Sequence, residues 1–174
     1  MTAMTERFAA PPLASPLRWT SGDPAAAALV LQATARSVLE RGHPELWPHE
    51  TLTVAALAQD YPAEGWHIAW QGEQPVGCFV LMDPDPVFWA EKPAGEALYL
   101  HKLAVHPLAQ GQELNRALLA RAEQLTREAD RRWLRLDTDV TRPKLQAIYT
   151  GFGFTAVDRQ QVMGFEVFRY QKEV

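Results

Sequence analysis

Residues 98–123, LYLHKLAVHPLAQGQELNRALLARAE, pass from one periodicity to another within a few positions. Up to Val105 the apolar residues alternate as in a strand, whereas Leu114, Leu118, Ala122, Leu125 and Ala129 recur at the spacing of one helical face. Pro107 and Gly111 stand between. The stretch therefore reads as a strand, a short glycine-containing loop and a helix from about Gln112 to Ala129. Such an arrangement presents unpaired N–H groups and the positive end of a helix dipole to a phosphate, although a single glycine before a helix also makes an ordinary tight connection.

Within the strand the apolar positions are 98 and 100, then 103 and 105, so the alternation changes parity. A bulge near His101 or Lys102 explains the change and would leave backbone groups unpaired for a ligand. A central strand that is apolar on both faces explains it equally well.

Upstream, SGDPAAAALVLQATARSVLER (21–41) reads as a helix of about five turns, with Asp23 as cap, Pro24 in the first helical position and Gly42 as stop. A shorter helix fits HETLTVAALAQD (49–60). GWHIAWQGEQPVGCFVLMDPDP (65–86) reads as a hairpin turning at QGEQ, its second strand apolar on both faces and hence central. DPDPVFWAEKPAGE (83–96) is irregular. Downstream, RWLRLDTD reads as a strand and RPKLQAIYT (142–150) as a short helix carrying Leu145, Ile148 and Tyr149 on one face and stopped by GFGF. FTAVD (154–158) and VMGFEVFRYQ (162–171) read as final strands.

Residues 1–16 lack periodicity and read as a flexible tail, leaving 17–174 as one domain, a size that buries a single core. The composition, 47% apolar and 22% charged, is that of a globular protein. A net charge of -4 gives no basic footprint for nucleic acid or anionic membrane. No stretch has the length and apolarity of a membrane span, and the first residues lack the apolar middle of a secretory signal, so a cytoplasmic location is expected. The single cysteine, Cys78, excludes an internal disulfide and reads as a small buried hydrophobe. The five histidines show no metal-ligand spacing, and no metal is expected.

Taken together, LYLHKLAVHPLAQGQELNRALLARAE, WLRLD and RPKLQAIYTGFGF resemble the GNAT-type N-acetyltransferase superfamily over roughly residues 96–156. Val105, Pro107, Gly111, Leu118, Leu119, Tyr149, Gly153 and Phe154 fall where that pattern puts them. The resemblance implies an α/β (α+β) fold with a mixed, mostly antiparallel central sheet of about six to seven strands, about four flanking helices and a splayed or bulged fourth strand. It implies transfer of an acetyl group from acetyl-coenzyme A, as co-substrate, to a primary amine of a small molecule or peptide. The working protein would be a monomer or homodimer.

By the same resemblance, Leu103, Ala104 and Val105 offer backbone groups to the pantetheine arm and the thioester. Gln110, Gly111, Gln112, Glu113, Leu114 and Asn115, with Arg116 beside them, form the pyrophosphate loop, and Tyr149 protonates the leaving thiolate; Arg142 departs from the pattern, standing where the family commonly has an asparagine that touches the cofactor arm, and its longer side chain would reach a phosphate instead. The loop departs from the pattern at Glu113 and Asn115, which replace small residues. A carboxylate about 5 Å from a pyrophosphate oxygen costs about 3 kcal/mol at an effective dielectric of 20, whereas one in the first helical turn also favours the helix dipole. A GNAT-like binding or regulatory module with little activity is the alternative this departure raises.

The acceptor amine must lose a proton, and Glu96, His101 and Asp137 are candidate bases on strands bordering the central cleft. Imidazole suits that work because its ordinary pKa lies near neutrality. The acceptor is expected to meet residues 41–62 and 83–95. There Trp47, Phe88, Trp89, Glu45, Glu50, Asp83, Asp85 and Glu91 would form an aromatic, acidic rim suited to a cationic amine.

Overall fold

The computed structural model describes residues 16–174 except Gln112; the expected tail lies almost wholly outside them. Seven strands form one mixed sheet: β1 (Arg18–Ser21), β2 (Trp66–Gln71), β3 (Gln74–Met82), β4 (Ala97–Val105), β5 (Trp133–Asp139), β6 (Thr155–Val162) and β7 (Phe165–Glu173). Their spatial order is β1-β2-β3-β4-β5-β7-β6, and only β4 and β5 run parallel. Four α-helices accompany it: α1 (Pro24–Glu40), α2 (Val54–Asp60), α3 (Leu114–Glu128) and α4 (Pro143–Phe152). The mixed sheet and the four helices are those expected.

Asp23 caps α1 by accepting a hydrogen bond from the Ala26 N–H at 2.9 Å, and Pro24 costs no bond in the first turn. The buried face of α1, including Ala27, Val30 and Leu31, packs with Ile68, Cys78 and Val80 on one side of the sheet. On the other side Leu114, Leu118 and Ala122 of α3 meet Phe79, Leu100 and Leu134. Gly77 permits that approach, because a Cβ there would stand 3.1 Å from the Leu118 methyls. Cys78 is fully buried, and burial pushes its thiol pKa up.

A bulge accounts for the parity change in β4. Cys78 pairs with Ala104 and Val80 with His101, so Phe79 alone faces both Lys102 and Leu103. Lys102 absorbs the extra residue at φ +53°. The bulge turns Ala104 to the α1 side while Leu103 and Val105 pack on the α3 side.

The boundary between the last two strands differs from expectation. Thr155–Val162 is the full sixth strand, and Met163 and Gly164, expected inside the last strand, form its turn at φ +50° and +83°. The apolar Met163 hid the turn, yet it is 79% exposed.

Candidate active site

Two adjacent strands part company at the middle of the sheet. Ala97 through Leu100 of β4 pair with Trp133 through Leu136 of β5, and the ladder stops there. Beyond that point β4 stays with β3 as far as Val105, and β5 stays with β7 as far as Asp139. The result is a wedge, opening at the bulge, whose walls are His101–Val105 and Asp137–Asp139.

His101 and Asp137, both candidate bases, meet in this wedge, and they are joined by Asp85. The His101 Nε2 lies 2.8 Å from Asp85 Oδ2, and Nδ1 lies 3.7 Å from Asp137 Oδ1. The other Asp85 oxygen accepts the N–H groups of Val87 and Phe88, both at 3.0 Å. Burial raises the pKa of Asp85, but the hydrogen bond and charge of His101 and those two N–H groups outweigh it and hold the carboxyl below its usual range. An ionised Asp85 only accepts, so His101 Nε2 donates its N–H to it, which leaves Nδ1 as the ring nitrogen that faces Asp137. The rings of Tyr61 and Phe88, each 5.8 Å from the imidazole centroid, flank it.

Asp137 is the unsatisfied member. Its buried Oδ1 has no hydrogen-bond partner among the described residues. Burial lifts its pKa to about 6; the nearby Asp85 adds to the rise, while His101, Lys102 and Arg169 oppose it. The same carboxyl acts on Tyr149, a residue of α4 at 5% exposure between Phe154 and Tyr170. Burial and, after it, the charge of Asp137 raise the phenol above its ordinary range, so Tyr149 is protonated at neutral pH.

Glu96 does not join the group. It precedes β4 at the end where the ladder with β5 is closed, about 16 Å of extended chain from His101, and there it forms a 3.1 Å ion pair with Arg135. The aromatic, acidic rim is also revised. Asp85 and Trp89 are buried, at 2% and 1% exposure. Trp89 packs on Tyr99 and under Arg169, which binds Asp158, Glu91 and the Phe88 carbonyl and thereby fastens the 83–96 loop to β7. Phe88 and Trp47 do face the wedge residues, Trp47 with its ring 4.8 Å from Lys102 Nζ.

The turn after β4 is held from within. The Val76 carbonyl accepts from His106 N–H at 2.8 Å, and Val105 O accepts from Thr34 Oγ1 at 3.0 Å. Gly111 adopts φ +82°, and Glu113, expected in the first helical turn, is instead the N-cap, exposed and at φ +53°. Its side chain makes no cap bond. The first intrahelical bonds come from the N–H groups of Arg116 and Ala117 onto Glu113 O, so those of Leu114 and Asn115 precede the ladder and point out of the helix end. Gln110 is exposed beside them, Arg116 lies over the Phe152 ring at 5.8 Å, and Gln112 is outside the described residues. Arg142 sits at the start of α4, where its guanidinium donates to the carbonyls of Pro44 and Glu45 at 3.2 and 3.0 Å.

The wedge with its bulged wall, the N-terminus of α3 that follows that wall and the Asp85–His101–Asp137 cluster, in which Asp85 is buried and the other two are half-buried, together make the candidate site. The chain matches the acetyltransferase (GNAT) family over residues 33–154 and belongs to it. It is thereby an acetyltransferase, of a family that uses acetyl-coenzyme A as co-substrate. Solved structures agree on the fold. A GNAT-family acetyltransferase from Listeria monocytogenes is 22% identical, with a TM-score of 0.69 over 91% of this chain and 94% of that one. A putative acetyltransferase from Salmonella typhimurium, solved with acetyl-CoA, is 18% identical with a TM-score of 0.63 over 90% and 93%. The Escherichia coli ribosomal-protein-S18-alanine N-acetyltransferase is 16% identical with a TM-score of 0.65 over 91% and 94%. No curated protein matches the sequence. Among the described residues no helix is long and apolar enough to cross a membrane.

Sequence reasoning missed Asp85 as a working residue. It lies in a loop with three prolines and no periodicity, and only its contact with His101, sixteen positions later, sets it apart.

Proposed function

We propose that this chain transfers the acetyl group of acetyl-coenzyme A to a primary amine of a small molecule or peptide by direct attack, without a covalent enzyme intermediate. The observation that carries the reading is the wedge itself, with the unpartnered Asp137 Oδ1 facing His101 Nδ1 where β4 and β5 separate.

The chain's groups fit such a co-substrate. The end of α3 at Leu114 and Asn115 suits a pyrophosphate, because those backbone donors do not depend on side-chain identity and Gly111 adds no side chain to the approach. The bulged backbone at Leu103 to Val105 suits the pantetheine arm. Acetyl-coenzyme A supplies a thioester whose carbonyl carbon is the electrophile. His101 Nδ1 takes the proton of the attacking amine, Asp85 holds the imidazole in the tautomer that can do so, and Asp137 steadies the resulting positive charge. Tyr149 donates its O–H proton to the sulfur as the C–S bond breaks. Nitrogen thus gains the acetyl group and sulfur leaves as a thiol; His101 then gives up its proton and Tyr149 regains one by exchange with solvent, so the enzyme returns to its starting state.

Acetyl-coenzyme A titrated into a thermal melt at about 100 times its dissociation constant is expected to add roughly 2.7 kcal/mol of stability. A panel of primary amines is then followed by release of free thiol. Binding without thiol release for any amine would leave a module that holds the co-substrate and does not turn it over, and no melt shift at millimolar concentration would overturn the reading altogether.

A further inference from the structure

Lys102 lines the wedge, and the proposed reaction leaves it without work. The bulge holds it in the left-handed region at φ +53°, a conformation that costs a side-chain-bearing residue about 1 kcal/mol and that surrounding structure must enforce. Its ammonium sits 4.8 Å from the centre of the Trp47 ring. Among the described residues no carboxylate comes within ion-pairing distance of it, although the fields of Asp60 on α2 and Asp137 on β5 both reach it. A primary amine poised over an aromatic ring, with carboxylates nearby and His101 as its chain neighbour, has the surroundings expected of an acceptor amine in such an enzyme.

We infer that Lys102 is itself an acceptor, and that in the absence of another amine the enzyme acetylates its own Lys102 Nζ from acetyl-coenzyme A. The inference rests on the acetyl-transfer reading above. Burial first, against the pull of Asp60 and Asp137, lowers the Lys102 pKa to about 8, so near that pH about half the molecules carry the free amine. The Nζ lone pair attacks the thioester carbonyl carbon, the C–S bond breaks with its electrons going to sulfur, His101 takes the proton lost by nitrogen, and Tyr149 supplies the proton of the leaving thiol as in the reaction above. The products are an N-acetyl-lysine and a free thiol. The modified side chain is neutral, so Asp137 loses one of the charges that hold its pKa down, and the place over Trp47 is filled by an amide.

The chain makes the test clean, because it has only four lysines. Lys144 is exposed, Lys92 is half-buried in the 83–96 loop, and Lys172 is held by Glu123 at 2.6 Å. The native full-length protein is incubated with acetyl-coenzyme A and no amine, and the four sites are followed by peptide mass mapping, with a parallel sample in urea. Lys102 is expected to label at least about tenfold faster than the other three in the folded protein, the advantage vanishing on unfolding, as positioning and a general base require. Lys102→Arg should remove the fast site while still giving a melt shift with acetyl-coenzyme A. Equal labelling of all four lysines, or an unlabelled Lys102, overturns the inference. The melt on the same sample separates the causes: a shift without labelling removes the role of Lys102 alone, and no shift removes the acetyl-transfer reading with it.

Discussion

The two ends of β4 belong to one continuous strand and obey different physics. From Ala97 to Leu100 the strand is paired with β5, and at Tyr99 and Leu100 with β3 as well. Arg135, 2% exposed, reaches Glu96, Tyr99 Oη and Gln171, so a buried guanidinium finds three acceptors. From His101 to Val105 the strand is paired on one side only, carries a left-handed lysine, and faces a carboxylate oxygen with no partner. Satisfied polar groups at the first end rigidify the sheet. The unsatisfied ones at the second are held in place by that rigidity and are available to react.

Four substitutions break or sharpen this contrast. The largest effect is expected from Tyr149→Phe, which removes the proposed acid at the open end. Turnover should fall by about 10² to 10⁴ with the affinity for acetyl-coenzyme A unchanged, as general acid catalysis predicts. Unchanged turnover at saturating substrate would remove Tyr149 from the mechanism.

Asp137→Asn follows, and it separates activity from stability. Turnover should drop about a hundredfold. Stability should move the other way. The folded pKa of about 6 lies above the ordinary 3.8, so the native state holds the proton more tightly than the unfolded chain. Stability therefore falls as pH rises from about 4 to 6, and above that the cost of the buried charge is fully present, on the order of 2 to 3 kcal/mol. Urea melts at pH 5 and pH 8 should show that slope in the parent and lack it in the variant, which should be the more stable of the two at pH 8.

Glu113→Gly tests the turn that continues the open end. Relief of φ +53° should raise stability by about 1 kcal/mol in thermal melts. Tighter acetyl-coenzyme A binding would mean that the carboxylate faces the phosphates, and unchanged affinity that it faces solvent.

The smallest effect is expected at the closed end. Glu96→Gln weakens a partly exposed ion pair with Arg135 and should change stability by no more than about 1 kcal/mol, with activity within about twofold. A large loss of activity there would mean that the two ends are coupled, and the contrast would fail.

Much of this was legible in the residues. The switch of parity between Leu100 and Leu103 placed a candidate bulge within a residue of the observed one without choosing it over a strand apolar on both faces, and spacing alone located α3 and α4 with Tyr149 between Ile148 and the GFGF stop. Glu96, His101 and Asp137 stood together as candidate bases because each lies on or beside a strand next to the cleft, and nothing local separates a carboxylate at the closed end from one at the open end.

Periodicity, caps and turn residues act over a few positions, so the sequence by itself determined the order of elements and the glycine turn before α3, while the parity switch left a bulge and a strand apolar on both faces as equal readings until the pairing with β3 decided for the bulge. The joining of Asp85, His101 and Asp137, the exclusion of Glu96 and the isolation of Lys102 over Trp47 were decided only by tertiary structure. They depend on where the ladder between β4 and β5 ends, and burial and charge then act through space on groups far apart in the chain.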